Sequence, residues 1–232
     1  MNNPIINLKF DEELDHELAW DFYSKPEFGG NNFWQNGALK HHPKLATIEE
    51  NQDPKRFLGE YITEYYRLHS IDIKKQSEKT TTYIKETQGD FFKIVDNIFT
   101  GHPWPKSEFV GLFSIFDFCP RFLDEGSFQV FIYDDRRMQL FTIYHEMLHF
   151  IFYDFALKTF PNVFKDLNTE EGKFWDMAET FNAVIQDTND FITLHGKIFE
   201  MGYPDHKELI SRGKILWKNN PNIKNWITEM EQ

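Results

Sequence analysis

Cysteine is nearly absent: Cys119 stands alone in 232 residues. That excludes an intramolecular disulfide and any metal site built mainly from thiolates. Positive charge is short too, with 25 Lys and Arg against 37 Asp and Glu and a formal net charge of −12. Such a surface repels a phosphate backbone and an anionic lipid face, so neither nucleic acid nor membrane is expected as a partner. No stretch offers the ~18 uninterrupted apolar residues of a membrane span. The opening MNNPIINLKFDEELDHEL lacks a basic region followed by an apolar run. The expectation is a protein of a reducing compartment, most simply the cytoplasm. Repeats, low-complexity tracts and Pro- or Ser-rich linkers are also missing, so one domain over 1–232 is expected. What abounds is aromatic: Phe, Trp and Tyr make up 17%, with 25 Phe, enough for a well-filled core.

Residues 1–101 read as a helical scaffold. After an irregular start, 11-DEELDHELAWDFYSKP-26 puts Leu14, Leu18 and Phe22 at helical spacing and stops at a proline. The Gly- and Asn-rich stretch 26–44 reads as a long loop. Asp53 and Pro54 then open a helix over 53–69 with Phe57, Tyr61, Ile62, Tyr65 and Leu68 on its stripe. A second pattern runs from 72 to 99, with Gly89 a candidate break. Two short aromatic and β-branched runs, 109-FVGLFSIFDF-118 and 127-SFQVFIYDD-135, flank the turn-rich 119-CPRFLDEGS-127 and are expected to be antiparallel neighbours. The chain ends in one helix and a short second one after Pro221. The predicted fold class is α+β, mainly helical, with a small antiparallel sheet beside the central helices.

The stretch that calls for chemistry is 142-TIYHEMLHFIFYD-154, inside a run from Arg136 to about Leu157 with neither Gly nor Pro. Its apolar residues cover every side of a helical wheel, which is the pattern of a buried helix. His145 and His149 fall roughly 40° apart, one turn from each other, with Glu146 on the adjacent row. Burying these groups without compensation is costly, and a divalent cation supplies it. Two imidazoles one turn apart can reach a common zinc ion at about 2.0–2.1 Å, whereas Glu146 would miss the metal and reach a water on it.

His-Glu-x-x-His on a helix resembles the active-site motif of the zincin metallopeptidases, and 145-HEMLH-149 matches it in full. The resemblance implies zinc ligation by His145 and His149, with Glu146 as the general base that deprotonates the attacking water. A metzincin would need a glycine and a third histidine shortly after His149, where this chain has Phe152 and Phe155. In the thermolysin-like, or gluzincin, branch the third ligand is a glutamate on a following helix. Glu170 and Glu171 lie 21 and 22 residues beyond His149, close to that spacing, but stand where acids favour a helix start. Glu179 lies 30 residues beyond, in the middle of the apolar pattern 168-NTEEGKFWDMAETFNAVIQD-187, and is the preferred ligand. AETFN also looks like the Glu-bearing helix of small bacterial gluzincin-type proteins. The thermolysin pattern has an aspartate four residues after the glutamate to bond a zinc histidine; here that position is Ala183. Asp176, Asn182, Asp187 or a backbone carbonyl is left for the task.

Zincins bind an extended peptide along an edge strand near the metal, which makes 127–135 either a substrate strand or an ordinary core strand. Related enzymes add a transition-state donor from downstream of the third ligand. Tyr203 and His206, near the turn residues Gly202 and Pro204, are the candidates, with a tyrosine packed on the core as the alternative. The function expected is zinc-dependent hydrolysis of a peptide or protein substrate. The alternative is a zinc-containing binding or regulatory module without turnover.

Overall fold

The computed structural model describes residues 3–198 and 202–232. Where an irregular start was expected, Ile5–Phe10 forms a strand, β1. It is made by tertiary pairing: it runs parallel to β4 (Glu108–Ser114), with Ile5 opposite Glu108 and Phe10 opposite Phe113. Helix α1 (Glu12–Ser24) follows, capped by Asp11, whose carboxylate accepts from Leu14 N at 3.1 Å. The expected loop contains a small hairpin, β2 (Glu27–Phe28) and β3 (Asn31–Asn32). Its turn is Gly29–Gly30, at φ +56° and +76°, and two successive left-handed residues are what a type I′ turn needs. A π-helical turn, Trp34–Leu39, and a 3-10 stretch, Pro43–Glu50, complete this region.

The two helical patterns at 53–69 and 72–99 form one helix, α2 (Pro54–Ile98), of 45 residues. Asp53 caps it, accepting from Arg56 N at 3.0 Å. Gly89 does not break it. An isolated glycine costs a helix only about 1 kcal/mol, and buried Ile84 and Phe91 hold the helix on either side of it.

Strands β5 (Arg121–Phe122) and β6 (Ser127–Phe131) complete a sheet of order β1-β4-β6-β5. The expected antiparallel pairing of the two longer runs is corrected: β4 and β6 are parallel, with Val110 opposite Ser127. The turn signal ending in Gly126, at φ +71°, closes the antiparallel β5–β6 hairpin instead. The chain therefore crosses from β4 to the outer edge before returning through β6, as a parallel pair requires.

Directly after the sheet, α3 (Arg136–Thr159) starts at Asp135, whose carboxylate accepts from Arg137 N at 2.9 Å and Met138 N at 3.1 Å. It is followed by α4 (Pro161–Phe164) and α5 (Lys173–Ile185). Next come α6 (Asn189–His195), α7 (Lys207–Asn219) and α8 (Ile223–Met230). α3 and α5 are clamped by rings such as Phe152 on Phe181, with centroids 4.7 Å apart. Burying each such side chain stabilises by roughly 1.5–3 kcal/mol. α7 closes over α5 at Gly213, where a Cβ would stand 3.0 Å from Val184 and 3.1 Å from Trp226. One hydrophobic cluster runs from Ile6 to Met230. The α+β, mainly helical class stands. No helix among the described residues is long and apolar enough to cross a membrane.

Candidate metal centre

Helix α3 presents His145 and His149 on one face, and α5 lays Glu179 across them. Nε2 of His145 and Nε2 of His149 are 3.1 Å apart. Glu179 Oε2 is 3.2 Å from the first, and Oε1 is 3.2 Å from the second. Donor atoms about 2.0–2.1 Å from one tetrahedral ion lie roughly 3.3 Å from each other; each of these three separations is close to that edge, with a different Glu179 oxygen facing each ring. Among the described residues these three form a group able to hold a metal ion. Glu170 and Glu171 stay outside it: both lie in the turn before α5, which starts at Lys173 behind Gly172 at φ +74° rather than at the expected 168–169 cap. Asn168 instead accepts from Glu170 N at 2.8 Å.

Each ligand is held differently. Nδ1 of His145 meets Gln186 Oε1 at 2.8 Å, and Gln186 Nε2 donates to Phe141 O at 2.9 Å. Because the amide is oriented by that second bond, its oxygen faces the imidazole, Nδ1 carries the proton and Nε2 keeps its lone pair for a metal. His149 has no hydrogen-bond partner at Nδ1, and its ring stacks on Tyr153 at 5.7 Å and 16°. Glu179 accepts from Arg121 Nη1 at 3.1 Å. Of the expected supports, Asn182 donates to the His145 carbonyl at 2.9 Å and not to its ring. Asp176 pairs with His206, and Asp187 with Lys197 and Lys214. Sequence reasoning missed Gln186 and Arg121. Gln186 had a signal, standing seven residues, two helical turns, after Glu179 on the same face. Arg121 had none, because only the β5 edge brings it there.

The electrostatics divide the roles. Burial pushes Glu146 up to about 7, against the opposing pull of His145 and Arg121. Burial, reinforced by the Arg121 charge, takes His149 down to about 3, so the ring is neutral and able to ligate. Burial also works against the charge on Glu179, but the neighbouring histidines hold it well below the usual carboxylate range. Glu146 lies outside this group of three, and its Oε2 is buried without a partner.

His145, Glu146 and Glu179 form one wall of a cavity of about 610 Å³. Its other walls are mostly aromatic: Phe22 and Phe28, Phe33, Phe118 and Phe141, with Tyr203. Tyr203 is thus brought to the site, its ring on Trp175 at 4.9 Å. His206 is not a wall residue: its Nε2 bonds Asp176 Oδ1 at 2.9 Å and its ring packs on Trp175. Of the two readings of 127–135, the structure carries the core strand: β6 lies between β4 and β5 and is buried throughout, and Phe118 to Arg121 supply the cavity wall.

Compared with known proteins, the chain matches no protein-family model, no curated protein and no solved structure.

Proposed function

We propose that the protein is a zinc-dependent peptidase of the gluzincin kind, hydrolysing a peptide bond of a peptide or protein substrate in the aromatic cavity. The observation that carries this is the meeting of a His145, His149 and Glu179 group able to hold a metal ion with an unpartnered Glu146 carboxylate oxygen at a cavity wall. A structural core histidine pair would have no use for either.

Zinc, when bound, supplies Lewis acidity that polarises a carbonyl and acidifies water. The chain's own residues do the rest. Gln186 fixes the His145 tautomer, and Arg121 fixes the Glu179 carboxylate. Glu146, with a free Oε2 at the cavity, accepts a proton from the attacking water and passes it to the leaving amine. The aromatic walls exclude bulk water, which strengthens each of these interactions. We assign Tyr203, not His206, as the hydroxyl donor to the oxygen of the scissile carbonyl. With a single cysteine and no disulfide to protect, we place the protein in a reducing compartment, most simply the cytoplasm.

The test combines metal analysis with turnover. Protein purified without chelator should carry about one zinc per chain, as three protein ligands and one open position imply. It should cleave members of a mixed peptide library, and Glu146→Gln should lose roughly 10²–10⁴-fold in rate at unchanged zinc content. Zinc only in traces, not restored by added metal, overturns the metal reading. Full zinc content without cleavage leaves a binding module and overturns the peptidase.

A further inference from the structure

Arg121 brings a permanent positive charge to a place where a cation is to bind, and its contacts show why. Its side chain is 9% exposed. Nη1 donates to Glu179 Oε1 at 3.1 Å, while Nη2 donates to Tyr153 Oη at 3.2 Å and to Thr169 O at 3.1 Å. The guanidinium also lies over the Tyr153 ring, 5.6 Å from its centroid. One side chain from β5 thereby ties α3, α5 and the turn before α5 to the carboxylate that faces both histidines. Nε is buried with no partner, and the side chain borders the cavity alongside His145.

A buried carboxylate ligand with no cation near it leaves an uncompensated charge whenever the metal is absent, and folding then depends on metal. We propose that Arg121 is a resident counter-charge for Glu179. It holds the third ligand in register in the metal-free protein and competes with the metal for that carboxylate. The inference rests on the metal reading above and goes beyond it, because a scaffold and a competitor predict opposite effects on affinity. Removing a scaffold weakens metal binding. Removing a like charge beside the metal strengthens it. Arg121 is on this account a positioning residue that makes the centre loadable and unloadable without unfolding.

The experiment measures zinc affinity, by competition with a chromophoric chelator, and the thermal midpoint of the zinc-stripped full chain. Arg121→Met should bind zinc about tenfold more tightly than the unaltered protein, about 1.4 kcal/mol, while its zinc-free midpoint falls. In the zinc-free state Arg121→Met and Glu179→Gln should each lower the midpoint, and the double variant should lose clearly less than the sum, as members of one buried pair do. Unchanged or weaker zinc binding by Arg121→Met, or strict additivity in the zinc-free cycle, overturns the proposal. Should Arg121→Met not fold, Arg121→Lys decides, because it keeps the charge and loses the three-way tie. Zinc affinity within about threefold of the unaltered protein, 0.7 kcal/mol or less, supports the counter-charge, and a greater loss overturns it. If the unaltered protein takes up no zinc, the metal reading has failed, and the zinc-free cycle still reports on the pair by itself.

Discussion

Two clusters of buried ionisable groups use the same residue types to different ends. In the first, Asp15 of α1 and His42 are each 1% exposed. Asp15 Oδ1 accepts from Gln129 Nε2 at 2.9 Å, and Oδ2 accepts from Tyr66 Oη at 2.6 Å and Ile115 N at 3.1 Å. His42 Nε2 lies 2.6 Å from Ile115 O and so must donate, which leaves Nδ1 to accept from Tyr61 Oη at 2.9 Å. Every polar atom of these two side chains is bonded, and neither lines the large cavity. In the second cluster Glu146 Oε2 and His149 Nδ1 have no partner, and the donor atoms of His145, His149 and Glu179 crowd one point beside that cavity. An unmade buried hydrogen bond costs about 1–3 kcal/mol. The first cluster is a strut joining α1, the 3-10 stretch, α2 and the sheet, both of its ionisable groups fully bonded although Gln129 Oε1 beside them has no partner. The second leaves buried polar atoms without partners, as the proposed zinc site requires, and burial alone would not have told them apart.

Alanine at the two histidines gives the sharpest way to break that contrast. His149→Ala should weaken zinc binding on the order of 10³-fold, one ligand's share of the ~10–16 kcal/mol a structural zinc can supply. His42→Ala should leave zinc uptake unchanged and cost about 3 kcal/mol in urea unfolding, because Tyr61 Oη and Ile115 O both lose their partner. If His42→Ala released the metal, or His149→Ala bound it normally, the division into strut and site would collapse.

How much of this was legible beforehand follows the range of the forces involved. His145, Glu146 and His149 could be read because one helical turn sets their geometry locally. Glu179 could be read because a carboxylate amid Trp175, Phe181 and Val184 has no apolar excuse. The parallel pairing of β4 with β1 and β6 could not, since register between distant strands is settled by tertiary packing and leaves no mark in either strand. The two patterns of α2 do not announce one helix: Leu68, expected on the stripe of the first, and Ile71 are 61% and 86% exposed, so no continuous buried face links its two packed halves. Arg121 was invisible for a related reason: it is a lone arginine until the crossover puts β5 at the edge facing α3 and α5.

The pH response sharpens the comparison at a smaller scale. Burial raises Asp15 to about 6 and Glu146 to about 7; hydrogen bonds from Ser114, Tyr66, Ile115 and Gln129 work against it at Asp15, and the charges of His145 and Arg121 work against it at Glu146. A raised carboxylate binds its proton more tightly folded than unfolded. Its contribution is therefore complete below the unfolded value of 3.8 and is lost as pH rises toward about 6. For Asp15 that loss runs at up to ~1.4 kcal/mol per pH unit, about 3 kcal/mol in all, and is flat above pH 6. Urea titrations from pH 4 to pH 7 of zinc-free protein should show this fall, and Asp15→Asn should remove its share of the slope. An identical slope in both proteins would mean that the donors fully offset burial at Asp15.

Gln186 stands between the two clusters, and its replacement has the smallest effect to be read. Both ends of its amide are bonded, Oε1 taking the Nδ1 proton of His145 and Nε2 giving one of its own to Phe141 O, as in the strut. Yet the atom it governs is Nε2 of His145, which belongs to the second cluster. Gln186→Leu keeps the bulk and removes the acceptor, so His145 can place its proton on either nitrogen. Outer partners of metal histidines are worth 10–100-fold in affinity; without the Gln186 acceptor, the Glu179 carboxylate beside Nε2 draws the proton to that nitrogen, and a metal must then displace it. Zinc affinity should fall about tenfold, with Glu at the same position restoring it through its acceptor oxygens. A zinc affinity unchanged in Gln186→Leu, with only the unfolding midpoint lowered, would move Gln186 into the strut class and leave the orientation of His145 to packing against Phe141.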